Sequence, residues 1–132
     1  MDPNSAIYET KRINLEFPSN SIQVMFDGHR DAEANFRVFY KLYRNDAVDV
    51  QQNYIPFNGH SSPNQHQSDG SSDKLVNPNT TLNAFSEYKY TAENTPQFNG
   101  FMIKVVMTSN TQANPPRLKN FRAIALRSFE IT

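Results

Sequence analysis

"RLKNFRAIAL", residues 117–126, decides the architecture, because it reads two ways. Leu118, Phe121 and Ala125 fall at helical spacing in a stretch rich in Leu, Ala, Arg and Lys, which are good helix formers. The same stretch also alternates, with Phe121, Ala123 and Ala125 on one side and Arg122, Ile124 and Leu126 on the other, which is the period of a strand. Propensity and alternation leave the two readings level. A chain end is ordinarily frayed, yet this one asks for shelter for Leu118, Phe121, Ile124 and Leu126, and beyond them Phe129 and Ile131.

Working outward, the rest of the chain alternates more plainly. In "TKRINLEFP" (10–18), Ile13, Leu15 and Phe17 share one side, and "SIQVMF" (21–26) repeats the pattern with Ile22, Val24 and Phe26. "FRVFYKLY" (36–43) sets Phe36, Val38, Tyr40 and Leu42 against Arg37, Phe39, Lys41 and Tyr43. "FSEYKY" (85–90) is short and aromatic, and "FMIKVVM" (101–107) turns Phe101, Ile103, Val105 and Met107 inward with Lys104 on the wet side. Side chains alternate across a sheet, so each run buries one row. Six to eight such strands with turn signals between them predict an all-β fold, an antiparallel β-sandwich or a barrel.

The punctuation agrees. All four glycines (Gly28, Gly59, Gly70, Gly100) follow Asp or Asn and are read as turn corners. Of the prolines only Pro56 is expected inside a strand, which makes "NYIPFNG" (53–59) an edge or a bulge. "RDAEANF" (30–36) suits a single helical turn in a loop, and His29 in "DGHRD" reads as a turn residue. Residues 58–81, whose apolar members are Leu75 and Val76, read as a long polar loop, since such a segment buries too little to offset its ordering entropy.

With 132 residues the expectation is one β-sandwich domain over residues 1–132, with the alternative that it is the C-terminal module of a longer chain. Thirteen basic residues balance thirteen acidic ones, so no electrostatic footprint for nucleic acid is present. No run approaches the length of a membrane-crossing helix, and membrane insertion is not expected. The absence of cysteine rules out disulfides and thiolate metal sites and fits assembly in a reducing cytoplasm.

Motifs for catalysis are missing. Glu9, Glu16, Glu87, Glu93 and Glu130 are scattered with nothing pairing them, and no nucleophile elbow, phosphate loop or H-E-x-x-H occurs, so no catalytic residue, metal or cofactor is assigned. A hydrolase reading would need two carboxylates converging in a cleft. His60 and His66 share the polar loop with Asp69 and Asp73, donor types that suit zinc, but their spacing matches no ligand motif and they read as solvated. The aromatics are the stronger lead: ten Phe and six Tyr with no Trp. Phe39, Tyr43, Tyr88 and Tyr90 are candidate contacts for a sugar or protein partner, with His60 and His66 beside them on the loop; the competing reading is that the rings fill the core.

The blocks "YETKRINLEFPSNSIQVMFDGHRDAEANFRVFYKLYRND", "FSEYKYTAEN" and "FMIKVVMTSNTQANPPRLKNFRAIAL" together resemble a β-rich module of virion structural proteins, tail or baseplate, from large contractile-tailed phages, cyanophages included. The matching positions are Thr10, Arg12, Ile13 and Leu15; Val38, Tyr40 and Lys41; Glu87, Tyr88 and Tyr90; Phe101 with Ile103–Val105, Met107 and Ser109; and Pro116 with Arg122–Leu126. The 58–81 loop lies outside the resemblance and is more polar than its pattern. The resemblance implies a jelly-roll-like sandwich located in the virion, made in the host cytoplasm, with other virion proteins as partners; the alternative reading of the chain is a carbohydrate-binding module for attachment to a host surface glycan, and homo-oligomers are allowed. It also implies that 117–126 is the closing strand, buried beside "FMIKVVM", with the polar loop projecting outward.

Overall fold

The computed structural model describes residues 5–30, 34–43, 53–57, 59, 70–74, 76–81, 84–93, 95–109 and 116–126. Among these there is no helix. Eight strands follow in order: β1 (Ser5–Glu9), β2 (Ile13–Ser19), β3 (Ser21–His29), β4 (Ala34–Tyr43), β5 (Ile55–Pro56), β6 (Ser86–Ala92), β7 (Phe98–Ser109) and β8 (Arg117–Leu126). They form two antiparallel sheets packed face to face. In the first, β7 lies between β4 and a shared edge: β1 pairs with Lys104–Thr108, and β2 pairs nearer the start of β7, around Phe98–Phe101. β5 flanks β4 on the far side. The second sheet runs β6-β3-β8. The expected all-β sandwich is the observed one.

The alternating rows explain the core. Ile22, Val24 and Phe26 of β3, Phe36, Val38 and Leu42 of β4, and Phe101, Ile103 and Val105 of β7 meet Tyr88, Tyr90 and Ala92 of β6 in one hydrophobic cluster between the sheets. Aromatic rings dominate its centre: Phe26 stacks on Tyr88 and on Tyr90 and meets Phe36 edge-on at 5.2 Å. Burial of each such side chain is worth about 1.5–3 kcal/mol.

The terminal stretch is a strand, and its double reading has a structural cause. β8 pairs with β3, and the register slips between Met25 and Asp27, where Lys119 faces Asp27 and Arg122 faces Met25. Asn120 takes a left-handed φ of 57° at this bulge, and its amide donates to the Asp27 carboxylate at 2.8 Å. One extra residue lets Leu118 and Phe121, three apart, both pack on the core, followed by Ala123 and Ala125 at strand spacing. The helix-like interval is therefore the signature of a β-bulge.

Several expectations are corrected. β8 lies beside β3 and not beside "FMIKVVM", and Ile124 stands on the outer face, 43% exposed. Phe129 and Ile131 fall outside the described residues. Phe17 does not continue the row of Ile13 and Leu15; it is 64% exposed, because β2 loses register between Asn14 and Ser19. Pro18 lies in that irregular stretch, so Pro56 is not the sole strand proline; β5 itself is the expected two-residue edge. Gly28 and Gly100 sit inside strands, whereas Gly59 and Gly70 do take positive φ. A Cβ on Gly28 would stand 2.8 Å from Tyr88 and 2.9 Å from Phe36, so aromatic packing requires glycine there. His29 is not a turn residue: it ends β3, buried, and its Nδ1 donates to the Ala84 carbonyl at 2.7 Å. Ala34–Phe36 begin β4; residues 31–33 lie outside the described set.

The described part of the polar middle does not project outward. The Gly70 carbonyl accepts from the Val38 N–H and its N–H donates to the Phe57 carbonyl, and Asp73 donates its N–H to the Lys89 carbonyl of β6. The Asp73 carboxylate accepts from both the N–H and the hydroxyl of Thr91, at 2.9 and 2.6 Å. Asn79 exchanges bonds with the backbone of Arg30, whose guanidinium donates to the carbonyls of Ala34 and Val76 and to the Tyr88 hydroxyl. Residues 70–74 and 76–81 thus form a strap against the side of the sandwich between β4 and β6, held chiefly by polar bonds, with Val76 packed against the core.

The strand order carries one further fact. β2·β7, β3·β6 and β4·β5 nest one inside the next, and β4·β7 and β3·β8 join them into two sheets. A complete jelly roll would add an outermost pair, first strand beside last. Here β1 lies on β7 instead, and among the described residues β8 ends its sheet with one side unpaired.

Candidate functional site

Two surfaces stand out. The first is the outer face of the five-stranded sheet. Register places Phe39 opposite Lys104, Lys41 opposite Met102, and Tyr43 opposite Gly100; on the far side of β7, Glu9 is opposite Lys104. Tyr54, just before β5, joins this face from the edge. The Lys104 ammonium lies 4.6 Å from the centre of the Tyr54 ring and 5.1 Å from that of Phe39, and the Lys41 ammonium lies 4.7 Å from the same Tyr54 ring. The Arg12 guanidinium covers Tyr43 at 4.3 Å, and the Tyr43 hydroxyl donates to the Met102 sulfur. Gly100 makes this possible: a Cβ there would come within 3.1 Å of the Arg12 Nε.

Tyr54 is the electrostatic centre of the face. Burial first, then the negative charge of Glu9 and the neighbouring Tyr43, push its phenol up to about 12. Its hydroxyl is buried without a well-formed hydrogen bond among the described residues, so Glu9 acts on it chiefly as a nearby charge.

The second surface is the rim where β1 and β8 end their sheets. Tyr8 reaches across to Phe121 with ring centres 5.5 Å apart, yet remains 43% exposed. Ile7, 65% exposed, and Ile124 add apolar area on either side. A shallow hollow of about 280 Å³ lies elsewhere, lined by Asp73, Lys74, Val76, Glu87 and Lys89. It brings two carboxylates together, but Asp73 is engaged by Thr91 and ties the strap to β6.

Of the residues singled out in the sequence, Phe39 and Tyr43 do lie on one outer face, half-buried under cations. Tyr88 and Tyr90 do not join them. Both are core residues, Tyr88 tied to Arg30 and Tyr90 fully enclosed, and burial raises both phenols. His60 and His66 lie outside the described residues. Sequence reasoning placed Lys41 and Lys104 on outward rows but did not name them as site residues, and it missed Tyr54 and Arg12; the interior Gly100 was an available signal of close approach. Compared with known proteins, the chain matches no family model, no curated protein and no solved structure.

Proposed function

We propose that the chain is a structural module of a contractile-tailed phage virion, in tail or baseplate, working by assembly and surface contact and not by turnover. The resemblance of the strand blocks supplies the class of protein. The observation that carries the assembly reading is the incomplete rim: among the described residues β8 has an unpaired side, and Ile7, Tyr8 and Ile124 expose apolar surface around it. An open strand side is a template for another strand. A strand from a neighbouring virion protein, seated beside β8, would supply the outermost pair that β1 leaves unmade.

A photo-crosslinking residue at position 124 of the chain, expressed during infection, tests this. A crosslink to another virion protein in purified particles is expected. Absence of the chain from particles would overturn the reading. A second reading, attachment to a host surface glycan, is supported by one observation: the half-buried Phe39, Tyr43 and Tyr54 rings share an outer sheet face.

A further inference from the structure

We propose that the outer face of the five-stranded sheet binds an anionic saccharide, its charge taken by Lys41 and Lys104 and its sugar ring by Phe39. The inference rests on the glycan reading of this face and names the ligand class.

The argument begins with charge. Two ammoniums converge on the Tyr54 ring, at 4.7 and 4.6 Å from its centre, and so lie within about 10 Å of each other, the Debye length at 0.1 M salt. They repel each other there. Glu9, the cross-strand neighbour of Lys104, contributes one carboxylate against two ammoniums, and Arg12 adds a third cation over Tyr43. Neither lysine makes an ion pair among the described residues. The protein as a whole is neutral, so this excess of positive charge among the described residues of the face is local and not a matter of composition. An anionic group between Lys41 and Lys104 would relieve the repulsion.

Apolar chemistry narrows the ligand further. Phe39 and Tyr54 form the floor beneath the cations, Pro56 flanks Phe39 across the β4·β5 pairing, and Val106 and Ile7 continue the face beyond Arg37. A bare inorganic anion would use none of this surface. A pyranose bearing a carboxylate or sulfate uses both parts, with its C–H face on the ring and its anion on the ammoniums. A neutral sugar gains the ring contact but must displace an ammonium already held by cation–π attraction, with no anion to repay the loss. Charge therefore decides which sugars are held.

The test is calorimetric titration of the whole chain with four probes: a galacturonic acid trisaccharide, a sulfated trisaccharide, a neutral galactose trisaccharide and a poly-glutamate peptide. Binding of a charged trisaccharide is expected, weakening as salt is raised, with at least about tenfold loss, or 1.4 kcal/mol, in the Lys41→Gln/Lys104→Gln double variant. The carboxylated and sulfated arms distinguish the source of the anion. Phe39→Ser, checked for an unchanged unfolding curve, is expected to weaken the charged trisaccharides but not poly-glutamate. Equal binding of the neutral trisaccharide would overturn the proposal while leaving the glycan reading standing. Binding by none of the sugars would overturn both. Tighter binding of poly-glutamate than of any sugar would make the face a protein-docking surface and overturn both as well.

Discussion

Replacing Tyr90 by Phe should stabilise the protein. The Tyr90 side chain is 0% exposed, stacked on Phe26 with ring centres 5.6 Å apart and edge-on to Phe57 at 6.0 Å. Phe keeps every one of those ring contacts. What it removes is a hydroxyl that is buried with no hydrogen-bond partner among the described residues. Leaving such a group unsatisfied costs about 1–3 kcal/mol. Tyr90→Phe should recover part of that, about 1 kcal/mol, and raise the melting temperature by roughly 4 °C for a domain of this size. The pH dependence is a second readout. Burial holds the folded-state pKa of Tyr90 well above 10. The unfolded chain sheds that proton above pH 10 while the folded chain retains it. The stabilising contribution is therefore complete below pH 10 and is lost as pH rises toward the folded value. The variant lacks this loss, so its advantage over the parent should widen above pH 10. Equilibrium denaturation at pH 7 and pH 10.5 measures both effects. A variant less stable than the parent by 1 kcal/mol or more would show that the hydroxyl makes a bond in solution and would refute the reasoning.

Further perturbations separate other parts of the structure. Ile103→Ala, in the enclosed centre of β7, should cost about 2–5 kcal/mol, whereas Ile124→Ala on the outer face of β8 should cost under about 1 kcal/mol; equal losses in urea denaturation would contradict the facing of β8. Arg30→Met removes three donated bonds that join the strap, β4 and Tyr88, and should cost roughly 2–4 kcal/mol, with faster hydrogen exchange at the Asp73 and Asn79 amides. Unchanged exchange there would mean the strap is held by other bonds. Glu9→Gln should lower the Tyr54 pKa from about 12, read as an earlier tyrosinate absorbance in alkaline titration; because a raised phenol pKa favours the folded state only below about pH 10, the parent should lose stability between pH 10 and 12 and the variant over a narrower range. An identical tyrosinate titration in the two proteins would remove Glu9 from the surroundings of Tyr54.

The strands were legible because one apolar row per run suffices to identify a half-buried strand, and "FRVFYKLY" and "FMIKVVM" each carry one. Facing was legible only where the opposite row is charged. In "FSEYKY", Glu87 and Lys89 mark the wet side, so the same alternation that suggested a Tyr88–Tyr90 platform already pointed those rings inward. In 121–126 both rows contain apolar residues, and only the bulge at Asn120 sets which row faces the core. The strap escaped detection because apolar content is a proxy for burial, and residues 70–74 and 76–81 are held chiefly by Asp73, Asn79 and Arg30 through hydrogen bonds. Half of the candidate face was visible: Phe39 and Tyr43 alternate with core residues. Lys41 and Lys104 also fell on outward rows, but their convergence on one ring was not legible, because Tyr54 and Lys104 lie 50 residues apart and meet only through the β4·β5 and β4·β7 registers.

The two surfaces meet in β1. Successive residues of a strand point to opposite faces, so Tyr8 turns toward Phe121 at the rim while Glu9 turns toward Lys104 and Tyr54 on the outer face. β1 is held weakly: among the described residues it pairs on one side only, and its side chains from Ala6 to Glu9 are exposed. Its anchor is the adjoining Thr10, which accepts from the Ile103 N–H through its hydroxyl and donates its own N–H to the Ile103 carbonyl. Such an edge belongs to the least stable part of a fold. A strand seated beside β8 against Tyr8 would fix β1 in place, and with it Glu9, the carboxylate opposite Lys104. On the two proposals made above, assembly at the rim and ligand binding on the face would share one element, and the affinity of the face should then differ between the free chain and the assembled one.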